Sequence, residues 1–126
     1  MRIGELAART GVSVRALRYY EEQDLLVAER SHSGQRHYPE SAVGHVRLIQ
    51  QLYAAGLSSR TIVDLMPYAA DGRATPELLD RLSAERHRVE SRITELVGTR
   101  DRLDSVITGA TDNLHTGRPC GAAGAS

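Results

Sequence analysis

Arg15, Arg18 and Tyr19 fall within a five-residue span, and Arg30, Arg36 and Tyr38 form a second group with His32 and His37 close by. Guanidinium groups neutralise phosphates or bridge guanine edges, and a tyrosine hydroxyl can donate to a phosphate oxygen. Both groups are therefore suited to a nucleic-acid duplex. The plainer reading is a solvated face whose surface ion pairs are worth about 0 to 1 kcal/mol each. Catalysis has no comparable set: there are no paired carboxylates, no nucleophile with a base and no Gly-rich phosphate loop, so an enzyme is the class the residues support least. Cys120 and His115, five positions apart, are the only candidate soft-metal donors; set in a Gly/Ala-rich segment they read as a tail without a metal site, and no cofactor is expected.

These residues need elements to position them. Ile3, Leu6 and Ala7 recur at helical spacing and Gly11 closes them, which predicts a first helix of two turns. Ser13 caps a second helix, with Val14, Leu17, Tyr20 and Asp24 toward its inner face and Arg15, Arg18, Tyr19 and Glu22 opposite. Two short helices around a glycine turn have the form of a helix-turn-helix, whose second helix enters a major groove. Val27 to Tyr38 reads as a hairpin turning at Ser31-His32-Ser33-Gly34, a small wing beside that helix. Glu21, Glu22 and Asp24 read as helix-surface charges. Tyr20 reads as core or as a phosphate contact, and Tyr53 and Tyr68 as packing or as pocket lining.

From Glu40, Val43, Val46, Ile49, Leu52 and Tyr53 trace a third helix ending at Gly56, and Ser58 or Ser59 caps a fourth through Ile62, Leu65 and Met66 up to Pro67. Thr75 and Pro76 then open a long polar helix. Its heptad frame places Leu79, Arg86, Ile93, Arg100 and Ile107 at one seam position and Leu82, Val89, Leu96 and Leu103 at the other. A stripe of that width is a coiled-coil seam, too narrow to cover a globular core. Dimerisation is accordingly expected through Leu79, Leu82, Val89, Ile93, Leu96, Leu103 and Ile107, with the two arginines restricting register and orientation.

The block Ser13-Val14-Arg15-Ala16-Leu17-Arg18-Tyr19-Tyr20-Glu21, followed by Leu25-Leu26 and Gly34-Gln35-Arg36-His37-Tyr38, resembles the MerR family of bacterial transcription regulators in letters and spacing. The resemblance implies a mainly α fold, a winged helix-turn-helix domain with a small β wing plus a long C-terminal dimerisation helix forming an antiparallel coiled coil. With Asp71-Gly72-Arg73-Ala74 read as a hinge and the Gly/Ala-rich end as a tail from composition, the chain divides into a DNA-binding domain at 1–70, a hinge at 71–75, the dimerisation helix at 76–108 and a flexible tail at 109–126. The resemblance further implies a homodimer on a near-palindromic operator in double-stranded promoter DNA, bending and untwisting the spacer so that RNA polymerase engages indirectly. Ser13, Val14, Arg15, Arg18, Tyr19, Arg36 and Tyr38 become the expected DNA contacts. Gln35 departs from the family, many of whose members have an aromatic there, and no effector class is implied. Two alternatives remain open: an effector-independent DNA-architectural or accessory protein, and a coiled-coil protein-interaction module.

The whole composition sets bounds on these readings. With 126 residues, 28 of them Leu, Val or Ile, the chain can build one small core, and a partner is a reasonable expectation. Formal net charge is zero, yet residues 1–20 carry +3, residues 21–29 carry −4 and residues 30–60 carry +3, so two basic clusters flank an acidic seam. No apolar run approaches a membrane span, Glu5 and Arg9 interrupt any signal peptide, and the single cysteine excludes an internal disulfide, so a cytoplasmic location is expected.

Overall fold

The computed structural model describes residues 1–117, which form two compact units, Met1–Leu82 and the chain from Ser83 onward. In the first unit, α1 (Ile3–Thr10) and α2 (Val14–Glu22) are joined by a turn in which Gly11 takes φ +74°, a left-handed conformation that costs glycine little. Ser13 caps α2, its hydroxyl accepting from the Ala16 amide at 3.1 Å. The helix stops at Glu22 because Asp24 turns left-handed at φ +60°, with the Leu25 amide donating to Tyr20 O at 2.9 Å and the Asp24 amide to Glu21 O at 3.1 Å. Asp24 is therefore an exposed C-terminal cap and not part of the helix's inner face.

The wing is shorter than its sequence segment. Strands β1 (Glu29–Arg30) and β2 (Arg36–His37) pair antiparallel, Glu29 with His37 and Arg30 with Arg36. Met1 extends the pairing: its N-terminal ammonium donates to Tyr38 O at 2.8 Å, and the Tyr38 amide donates to Met1 O at 2.7 Å. Helices α3 (Ala42–Ala54) and α4 (Ser59–Leu65) follow, and a 3₁₀ turn, Met66–Tyr68, takes up Pro67. Leu6, Leu17, Tyr38, Val46, Ile49, Ile62 and Leu78 are buried together as one core, each aliphatic side chain contributing about 1.5 to 3 kcal/mol. Arg9 clamps Glu40 with both terminal nitrogens, one at 2.8 Å, tying α1 to the entry of α3; this hydrogen bond holds the Glu40 carboxyl below its ordinary pKa and raises that of Arg9.

The expected hinge is a tight turn. Ala70 and Arg73 exchange both backbone hydrogen bonds, at 2.8 and 3.2 Å, around Asp71 and Gly72, which are both left-handed. A Cβ on Gly72 would stand 2.4 Å from the carbonyl carbon of Gly44 on α3, so the turn docks where two glycines leave room. Beside it, His45 has a buried Nε2 with no hydrogen-bond partner among the described residues; burial lowers its pKa and nearby Asp71 partly offsets this.

Thr75 caps α5 (Pro76–Thr116), accepting from the Leu78 amide at 3.1 Å while donating to Tyr68 O. Leu78 enters the core and Leu82 packs half-buried against it, so this predicted seam residue also serves the first unit. In the second unit Val89, Ile93, Leu96, Leu103 and Ile107 are all exposed, from 48 to 64%. The helix does not give way to a tail at residue 109. It continues through Gly109 to Thr116, because one interior glycine costs about 1 kcal/mol and the next residues are otherwise compatible with a helix. Gly117 ends it at φ +74°, its amide donating to Asn113 O at 2.8 Å. His115 lies exposed in the last turn, and Cys120 lies outside the described residues. No helix among the described residues is long and apolar enough to cross a membrane.

Candidate nucleic-acid interface

The amphipathic division of α2 is as the spacing predicts. Leu17 and Tyr20 are buried, Val14 is half-buried, and Arg15, Arg18 and Tyr19 are exposed. Val14, Arg15, Arg18, Tyr19 and Glu22 line an open hollow of about 610 Å³ along the helix. A second hollow of about 260 Å³, lined by Arg2, Ile3, Arg18, Gln35, Arg36 and Tyr38, separates the helix from the wing. Arg18 lies on both. Ser13 stands at the mouth of α2 with its hydroxyl committed to the cap.

Tyr38 departs from expectation. It is 1% exposed and its hydroxyl donates to Glu21 Oε1, so its side chain packs in the core at the floor of the hollow between α2 and the wing. Packing decides this: the ring sits beneath the wing, and a buried hydroxyl needs a partner. The same carboxylate accepts from Arg36 Nη1 at 3.0 Å through Oε2. Glu21, a surface charge by its position in the sequence, thus has a side chain only 16% exposed and fastens the wing to α2. Arg36 remains half-exposed, with one guanidinium edge on Glu21.

Sequence reasoning also misses Arg2, whose Nη2 donates to Gln35 Oε1 and so tethers the wing to the start of the chain through a polar contact. Of the two candidate caps of α4, Ser58 makes the cap, accepting from the Thr61 amide at 3.2 Å. Ser59 Oγ instead lies within hydrogen-bond reach of the Tyr53 hydroxyl and 3.4 Å from that of Tyr19, linking α4 to the exposed face of α2. Tyr20 stacks on Tyr53 with ring centres 5.8 Å apart and planes 20° from parallel, which settles it as core; burial raises its pKa, with a smaller contribution from Tyr53. Tyr68 packs under the Arg81 guanidinium at 4.5 Å. Both Tyr53 and Tyr68 are thereby engaged in packing.

The chain's similarities agree with this geometry. Residues 1–69 match the family described as MerR HTH family regulatory protein. The nodulation protein NolA of Bradyrhizobium elkanii is 38% identical over 110 residues, covering 86% of this chain but 48% of its own length, so the chain spans about half of that relative. An HTH-type transcriptional activator SoxR homolog of Chromobacterium violaceum is 36% identical, covering 83% of this chain and 72% of that protein. In fold, the chain is similar to the transcription regulator PbrR691 of Ralstonia metallidurans CH34, solved in complex with lead(II), with a TM-score of 0.63, 24% identity and 86% of each chain covered.

Proposed function

The chain belongs to the MerR family of DNA-binding transcription regulators, which are not enzymes, and on that premise we propose that it binds near-palindromic promoter DNA as a homodimer. In this reading α2 enters the major groove, the wing contacts the adjacent backbone, and the exposed stripe of α5 pairs two chains. Two half-sites held by one dimer allow it to bend and untwist the spacer between promoter elements, which is how polymerase would be affected without a direct contact. The division into a DNA-binding part through residue 70, a connecting turn and a dimerisation helix belongs to the same proposal, with that helix continuing to Thr116.

The observation that carries the proposal is the position of Arg18 between two hollows, one along α2 and one between α2 and the wing. Arg15 and Tyr19 extend that surface on one side, and Arg36 and Arg2 on the other. Of the acidic stretch, Glu21 holds Arg36 in place and Glu22 lines the edge of the hollow along α2. The test compares Arg18→Ala and Arg36→Ala with the unaltered chain on selected and random duplexes at several salt concentrations. Loss of a base contact should cost about 1 to 3 kcal/mol on the selected site, whereas loss of a phosphate contact weakens all duplexes and lowers the salt slope by about one. Unchanged binding by both variants would refute this surface.

A further inference from the structure

The exposed stripe of α5 contains two arginines at seam positions, and each has an acid four residues on: Arg86 with Glu90 and Arg100 with Asp104. Within the chain Arg86 contacts Glu90 at 2.9 Å and Arg100 contacts Asp101 at 3.1 Å, both on the exposed surface of the single chain. A guanidinium in an apolar seam needs a partner across the interface as well, because desolvating it against Leu or Val alone is costly. From this charge pattern we propose that the partner is a second copy of this chain, running antiparallel in one register that seats Arg86 beside the partner's Asp104 and Arg100 beside the partner's Glu90. This rests on the homodimer proposed above and specifies how it is fitted together.

Two antiparallel residues meet when they lie symmetrically about a common midpoint. The pair Arg86 and Asp104 has its midpoint at residue 95, and the pair Arg100 and Glu90 has the same one. Because each acid follows its arginine by four residues, a single register satisfies both pairs at once, and it is the register we select. The seam layers centre about half a residue earlier, at 1.5 Å per residue a shift of under 1 Å, and set Ile93 against the partner's Leu96, Arg86 against the partner's Leu103, and Arg100 against the partner's Val89. Glu90 and Asp104 occupy the flanking position beside the seam, on the side where the arginine heads emerge. All of the apolar residues in these layers are exposed on the single chain and available for pairing.

Neighbouring registers fail the arginines. Sliding the helices by one heptad, about 10 Å at 1.5 Å per residue, sets Val97 beside one arginine and Ser83 or Thr111 beside the other. In both slid registers Arg86 and Arg100 lose these acids, which is how the charge pattern distinguishes them from the proposed one. This is the use of interhelical ion pairs that is best attested in coiled coils, selection of register more than gain in stability.

Arg92 and Thr99 occupy the opposite flank of the seam and measure the register directly. Full-length chains carrying Cys120→Ser with either Arg92→Cys or Thr99→Cys are mixed, equilibrated and oxidised under mild conditions. The proposed register brings position 92 of one chain to position 99 of the other, so the mixed disulfide between the two variants should be the dominant cross-linked species. A slide of one heptad in one direction would instead join two Arg92→Cys chains to each other, and in the other direction two Thr99→Cys chains; either result, or no cross-link from a chain that sediments as a dimer, overturns the register. Sedimentation as a monomer would refute the homodimer on which it rests. In a Glu90→Gln, Asp104→Asn background the mixed product should lose its dominance, and its persistence there would overturn charge as the cause.

Discussion

Glu21 has the largest role of any single side chain that its residue type concealed. It accepts from the Tyr38 hydroxyl and from Arg36, and so connects α2 to the wing. Removing it by Glu21→Ala leaves a buried hydroxyl without its acceptor, which should cost about 1 to 3 kcal/mol of stability and free Arg36 from its position. Tyr38→Phe removes the donor as well, so adding it to Glu21→Ala should recover part of that loss; denaturant unfolding of the two single variants and the double variant measures this coupling. Tyr38→Phe alone should retain the salt slope of DNA binding. A slope lowered by about one unit would return Tyr38 to the phosphate contacts and refute its assignment to the core. The surroundings of Tyr38 explain why sequence alone misassigns it: a tyrosine two residues from an arginine suits a phosphate equally well, and nothing in the local pattern announces a carboxylate seventeen positions earlier.

At the scale of elements, what repeats locally is legible and what depends on distant packing is not. The apolar spacing of Leu17 and Tyr20, the Ser13 and Thr75 caps and the Gly11 and Gly56 terminators all point to the helices that form. The division of α2 into buried and exposed faces, and with it Arg15, Arg18 and Tyr19, follows from the same periodicity. By contrast, the turn at Asp71 and Gly72 looks like a hinge from composition, and only the approach of Gly44 shows that it docks on α3. Gly109 opens the predicted tail but stays out of the left-handed region and within the helix, whereas Gly117 turns left-handed at φ +74° and ends it. The docked turn has a consequence in acid because His45 beside it is partly desolvated, with its pKa lowered mainly by burial. Above the ordinary histidine value, about 6.5, folded and unfolded chains are both neutral at this site and it contributes no pH dependence. As pH falls through that value the unfolded chain binds a proton that the folded chain resists, so stability should decline with acid. Thermal unfolding followed from about pH 7.5 to about 5.5 should show this decline, and His45→Gln should flatten it; an equal slope in both chains would remove His45 as its source. The Glu40 contribution falls in a lower window, below the ordinary carboxylate value, and so does not confuse the comparison.

For the whole molecule the balance between a small core and a long exposed stripe is decisive. The core serves Met1–Leu82, while the apolar residues of α5 from Val89 to Ile107 remain uncovered on the single chain. Leaving that much apolar surface in water is unfavourable at about 25 cal/mol per Å², and a second copy of the helix offers a surface of matching width. DNA binding should then depend on pairing as well as on contact chemistry, since a dimer that holds one half-site presents its second reading head at high effective concentration to the other. Ile93 and Leu96 lie at the centre of the proposed pairing, and both are more than half-exposed in the single chain, so replacing them with Asp should spare the fold of the first unit. Charges placed there would be buried only on pairing, and the penalty falls on the dimer. The Ile93→Asp, Leu96→Asp chain should therefore sediment as a monomer, keep the helical content and unfolding midpoint of its first unit, and lose affinity for a two-half-site duplex while binding an isolated half-site as the unaltered chain does. A dimer that survives both substitutions would place the interface elsewhere on the molecule. A monomer that binds the full operator undiminished would show instead that each reading head acts alone, which removes the basis for bending the spacer.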